Sequence, residues 1–102
     1  MLKLKIKEEN ENLHIELKGD LDIDGTEIIN ELIPKMLTYN NVNIDFKAVP
    51  FVDSSGMGIL MTLVQTLAAN QTSVIISNVQ REVFEIFNLL QIPDILGKDI
   101  FV

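Results

Sequence analysis

Leu2, Leu4 and Ile6 alternate with Lys3, Lys5 and Lys7, and Leu13, Ile15 and Leu17 alternate with His14, Glu16 and Lys18. A period of two is that of a strand with one face buried. The polar link Glu8-Glu9-Asn10-Glu11-Asn12 is short enough for a hairpin, so both apolar sets are expected to face one core. The lysines then line a wet face or a sheet edge, where they discourage edge-to-edge pairing. From Ile28 the period changes: Ile28, Ile29, Leu32, Ile33, Met36 and Leu37 form a stripe at helical spacing. Asp24 and Glu27 have the spacing of a capping box at its start. Pro34 lacks an N–H and crowds the carbonyl of Asn30, which predicts a kink or break near Ile33.

Val42-Asn43-Ile44-Asp45-Phe46 predicts a third strand, and Pro50 argues against its continuing as a hydrogen-bonded central strand through that point. The helix expected from about Ser54 to Asn70 carries Met57, Leu60, Met61, Val64, Leu67 and Ala68 on one stripe, widened by Ile59 and Leu63. That is more apolar than a one-sided surface helix needs. Either it is buried on two sides or part of its first turn is exposed apolar surface kept for a partner. Ser73-Val74-Ile75-Ile76-Ser77 suits a strand buried on both faces of a parallel sheet. Val83, Phe84, Phe87 and Leu90 give a last helical stripe ending before Pro93, and Ile100-Phe101-Val102 a short final strand. Hairpin first, then alternating helices and strands: the expected fold is α/β, a mixed sheet of four to five strands with its later strands parallel and helices flanking it.

Composition narrows what such a domain does. A length of 102 residues allows one core and is too short for two, so residues 1–102 are read as one domain. With no cysteine there are no disulfides, and the usual zinc and thiol chemistries are removed. No apolar run reaches bilayer length or follows a basic start, so the expected place is the cytoplasm, with no membrane partner. A formal charge of −7 argues against nucleic acid and favours protein partners, since phosphate binding depends on clustered Lys and Arg. His14, the only histidine and the natural base for hydrolytic machinery, falls on the outward phase of its strand.

The remaining chemistry gathers in Phe51-Val52-Asp53-Ser54-Ser55-Gly56-Met57-Gly58, where a strand-like run meets the long apolar helix. Asp and Ser are the types that accept hydrogen bonds from the free N–H groups of a first helical turn, and those groups with the helix dipole also attract an anion. A phosphoryl group on a serine there would be well placed. Local chemistry does not separate Ser54 from Ser55, because either can cap the helix. If the second and third strands are parallel neighbours, Asp20 to Asp24 and Asp53-Ser54 emerge at the same rim of the sheet. The segment is not the Gly-x-Ser-x-Gly elbow of a hydrolase, and it lacks the lysine of a phosphate-binding loop.

Asp53-Ser54-Ser55-Gly56-Met57-Gly58 closely resembles the phosphorylation motif of the STAS family, the bacterial anti-sigma factor antagonists, which typically reads Asp-Ser-Ser-Gly-Leu-Gly. Gly19-Asp20-Leu21-Asp22, ahead of the first helix, resembles the family's second signature, and the two lie in the family's order at about its spacing. The resemblance covers nearly the whole chain. It implies an α/β STAS domain, not itself an enzyme, with Ser54 as phosphoacceptor and Asp20, Asp22, Asp53, Ser55, Gly56 and Met57 meeting a partner. It further implies that the unmodified form binds an anti-sigma factor that is also a serine kinase, releasing a sigma factor, and that a serine phosphatase restores that form. No catalytic residue, cofactor or metal is assigned. The alternative is a STAS module of another system, a lipid-transport component or a larger signalling assembly.

Overall fold

The two lysine-interleaved runs pair antiparallel as β1 (Lys3–Glu9) and β2 (Asn12–Lys18), with Leu4 opposite Leu17 and Ile6 opposite Ile15. The computed structural model describes residues 1–102. Pairing runs through Glu8, Glu9 and Asn12, so the turn shrinks to Asn10 and Glu11, and Asn10 takes the left-handed conformation (φ 55°) that a tight hairpin demands and asparagine tolerates. After β2 come α1 (Ile23–Met36), β3 (Asn41–Ala48), α2 (Ser54–Ala69), β4 (Ser73–Ser77), α3 (Arg81–Leu89) and α4 (Ile92–Leu96). The four strands lie in the order β1-β2-β3-β4, with β2 parallel to β3 and β3 parallel to β4. The final strand reduces to one parallel bridge, Phe101 with Ile76, and Phe101 sets its ring edge-on against Phe84 and Phe87.

The apolar phases of β2, β3 and β4 join Ile29, Ile33 and Met36 of α1, Leu60, Leu63, Val64 and Leu67 of α2, and Val83 and Phe87 of α3 in one buried cluster. Helices therefore cover one face of the sheet, and the other face stays open. Several expectations change for that reason. β4 is not buried on both sides: Val74 and Ile76 face the core, whereas Ser73 and Ile75 are exposed. Nor do both hairpin strands bury their apolar sets, since Leu13, Ile15 and Leu17 are sealed while Ile6, on the edge strand with a neighbour on one side only, is 40% exposed. α2 needs its extra apolar residues because it touches α1, β4 and α4 at once. Met61 on its stripe is only half-buried and Ala68 is exposed.

α1 starts earlier than the Asp24-Glu27 spacing suggests: its cap is Asp22, whose carboxylate accepts from the Gly25 N–H at 3.2 Å. It also continues past Pro34 to Met36, so no break falls at Ile33. Pro34 is exposed and stands in the last turn, where the Asn30 carbonyl it orphans can turn to water. α3 ends at Leu89, and Gln91 supplies a left-handed residue (φ 61°) before α4 begins, a conformation usually left to glycine.

Candidate functional site

Two βα loops are stitched together at one rim. β2 ends at Lys18, and Gly19 (φ +114°) turns the chain while its N–H donates to the Ala48 carbonyl at 3.0 Å. Leu21 then forms an isolated parallel bridge with Val52: its N–H donates to the Phe51 carbonyl at 2.9 Å, and its own carbonyl accepts from the Asp53 N–H at 3.2 Å. Immediately beyond this bridge each loop enters its helix through an aspartate. Asp22 caps α1, and Asp53 caps α2 by accepting from the Gly56 N–H at 2.8 Å. The helix start presses so closely on the neighbouring loop that a Cβ at Gly56 would lie 2.2 Å from the Leu21 carbonyl oxygen. Gly58, one residue past Met57, has nothing within 4 Å of such a Cβ. The first glycine is therefore required by packing, and the second is not.

Within this frame the two serines differ. Ser54 is the first residue of α2, is exposed, and its hydroxyl makes no hydrogen bond within the protein. Ser55 is half-buried and donates its hydroxyl to Asp53 Oδ1 at 2.6 Å. That bond, together with the Gly56 N–H, holds the Asp53 carboxyl below its ordinary pKa, against a smaller opposing effect of burial. Asp53 is thus a fixed anion beside a free hydroxyl. Asp20 is exposed and Asp22 half-buried on the adjoining loop, so the acidic loop and Ser54 do share one rim.

Met57 lies elsewhere. At 9% exposure it is part of the core cluster and offers little surface to a partner. The apolar surface at this rim belongs instead to Ile23, 69% exposed at the start of α1, and Phe51, 50% exposed just before the Asp53 cap. Neither was given a partner-facing role from the sequence, although Phe51 opens the stretch that carries the serines. The available signals were a hydrophobic residue enclosed by Asp22 and Asp24, and an aromatic one following Pro50 outside any periodic run. His14 is on the open face of the sheet, between Glu16 and Asp45 and away from the helix layer that carries Ser54.

Residues 3–101 match the STAS domain family, and the chain belongs to that family. Three solved structures share its fold. The phosphorylated form of the Bacillus cell fate determinant SpoIIAA superposes with a TM-score of 0.75 at 22% identity, covering 98% of this chain and 89% of that one. An anti-sigma factor antagonist from Mycobacterium paratuberculosis gives 0.78 at 15% identity, covering 95% and 84%. A sulfate transporter family protein from Wolinella succinogenes also gives 0.78, at 16% identity, covering 86% and 73%. At these identities the likeness is one of fold. No helix of the chain is long and apolar enough to cross a membrane.

Proposed function

We propose that this chain is an anti-sigma factor antagonist, a binding module without catalytic activity of its own that works in the cytoplasm. Unmodified, it binds an anti-sigma factor that is also a serine kinase and so frees a sigma factor; phosphorylation of Ser54 ends that binding, and a serine phosphatase restores it. The observation that carries this reading is the contrast at the start of α2, an exposed Ser54 hydroxyl without a partner beside a Ser55 hydroxyl committed to Asp53. A kinase meets the first without breaking a native hydrogen bond. Ile23 and Phe51 supply the apolar part of a docking surface, and Asp20, Asp22 and Asp53 its charged part.

The switch follows from charge. Phosphorylation adds up to two negative charges to a rim that already holds those three aspartates. At ~6 Å and an effective dielectric of ~20, each like-charge pair costs roughly 2–3 kcal/mol before screening. The N–H groups of α2 and its dipole return about 1 kcal/mol, so the fold survives while a partner that must desolvate this rim is repelled. Because about 1.4 kcal/mol is tenfold in affinity, even a screened remainder switches an interface. The position of His14 supports a non-enzymatic reading, since the only histidine stands outside the Ser54 rim.

A second reading, a STAS module in a transport or larger signalling assembly, draws on the likeness to the sulfate transporter family protein. A pull-down from native lysate with phosphopeptide mapping separates the two. The antagonist reading expects a soluble kinase partner and a phosphate on Ser54, Ser54→Ala retaining the partner without taking up phosphate, and Ser54→Asp losing affinity while keeping its melting temperature. Unchanged affinity of a stoichiometrically phosphorylated sample refutes it, and recovery only with membrane proteins favours the second reading.

A further inference from the structure

The open face of the sheet carries a cluster that the Ser54 rim does not use. His14 and Glu16 project from β2 and Asp45 from β3, with Glu16 and Asp45 register partners. His14 Nε2 stands 3.9 Å from Glu16 Oε1 and 4.0 Å from Asp45 Oδ2, and each of the three side chains offers a donor atom within 4.8 Å of the other two. These separations are too long for hydrogen bonds, so the groups converge without satisfying each other. None of the three atoms has another hydrogen-bond partner in the protein, whereas Asp45 is held in place from behind. Its Oδ1 accepts from the Lys47 N–H at 2.8 Å and from Asn78 Nδ2 at 3.2 Å, leaving Oδ2 turned to the cluster on a side chain only 14% exposed.

The electrostatics of the face are as telling. Like charges directly opposite on neighbouring strands are unfavourable. Five of the chain's eight cationic side chains, Lys3, Lys5, Lys7, Lys18 and Lys47, are on this face, and Lys5 is the register partner of Glu16. Yet no lysine comes within 4.0 Å of Glu16 or Asp45. The two carboxylates are left facing an imidazole across a gap the width of an ion. With donor atoms all within 4.8 Å of one another, a point between them is at most about 2.8 Å from each, so side-chain shifts of less than about 1 Å reach the ~2.0–2.2 Å of zinc–nitrogen and zinc–oxygen bonds.

We propose that His14, Glu16 and Asp45 form a binding site for a divalent transition-metal ion of the zinc type, with the remaining coordination positions open to water. The imidazole selects zinc, cobalt, nickel or copper over magnesium and calcium, which prefer all-oxygen sites. Asn78 and the Lys47 amide act as the outer shell that orients the Asp45 carboxylate. The surrounding lysines oppose the added charge, which limits the affinity to a moderate one.

Titration calorimetry of the full chain with zinc chloride, in a non-coordinating buffer at neutral pH, tests this directly. The expected result is one saturable equivalent, weakened at least about tenfold by His14→Ala and by Glu16→Gln, both at exposed or half-buried positions where the fold is retained by circular dichroism. Magnesium chloride in excess is expected to leave the isotherm unchanged. Because His14 is the only histidine, its ring resonances report the site without ambiguity, and they should shift in step with the calorimetric saturation. Zinc uptake that survives His14→Ala undiminished, ring signals unmoved at saturating zinc, or no saturable binding at all would each overturn the proposal.

Discussion

Replacing Gly56 by alanine tests whether the two loops at the Ser54 rim are pressed together as the structure has them. The new Cβ would stand 2.2 Å from the Leu21 carbonyl oxygen, 2.9 Å from Val52 Cγ1 and 3.0 Å from the Leu21 carbonyl carbon. Carbon and oxygen approach ordinarily to ~3.3 Å, so backbone must yield by about 1 Å. That carbonyl is the acceptor for the Asp53 N–H, and moving it strains the bridge that holds both loops. Forced overpacking costs about 1–3 kcal/mol, and a weakened buried hydrogen bond about 1 kcal/mol more. Alanine returns roughly 1 kcal/mol of helix propensity. The net is a destabilisation of about 2 kcal/mol, or a melting temperature lower by roughly 8–16 °C for a domain of this size. Gly58→Ala is the internal control, because its Cβ meets nothing and only the propensity gain remains, raising the midpoint by a few degrees. Urea unfolding of both variants beside the parent, with comparable m-values, supplies the numbers. A Gly56→Ala protein as stable as the parent would mean that α2 does not abut the Leu21 loop, and the shared rim of Asp20, Asp22 and Ser54 would go with it.

Further outcomes follow from neighbouring residues. Phe51→Ser and Ile23→Ser remove exposed apolar surface, so stability should move by no more than about 0.5 kcal/mol while affinity for the partner recovered through Ser54 falls about tenfold or more; Met57→Ala should instead cost about 2–5 kcal/mol as a core truncation. The Asp53 carboxyl is depressed in the folded state, so its stabilisation is complete above the unfolded carboxylate value near ~4 and is lost as pH falls through the lower native one. Asp53→Asn keeps an acceptor for the Gly56 N–H without the titration, and its acid unfolding curve should be shallower below about pH 4; parallel curves would contradict that assignment. Gln91→Gly relieves a left-handed glutamine after α3 and should raise stability by roughly 0.5–1 kcal/mol in the same urea assay.

Local pattern was enough for much of this protein. Alternation of lysine with leucine and isoleucine marks β1 and β2, and the stripe from Met57 to Leu67 marks α2, whose start is legible as a cluster of capping residue types at Asp53-Ser54-Ser55 without saying which of them caps. The position of the candidate site was legible in part: the acidic loop falls beside Asp53-Ser54 once β2 and β3 are parallel, but Met57 is buried and the exposed apolar residues of the rim, Ile23 and Phe51, were not singled out. Most of what stayed hidden depends on contacts between segments far apart in sequence. The sheet's open face could not be read from Val74-Ile75-Ile76, because which side the helices occupy is decided by how α1, α2 and α3 pack together. Ile6 looks as apolar as Ile15, yet on the edge strand β1 it is 40% exposed while Ile15, one strand inward, is sealed. Gly56 and Gly58 are alike until the Leu21 carbonyl, on another loop, arrives against one of them. The difference between Ser54 and Ser55 is instead local, a bond from Ser55 to Asp53 two residues back, and it stayed hidden because either serine has the chemistry to cap a helix. Glu16 and Asp45 become neighbours only through strand register. Periodicity and capping are set by residues a turn or two apart, while burial, close approach and charge convergence are set by whichever distant segment the folded chain brings alongside.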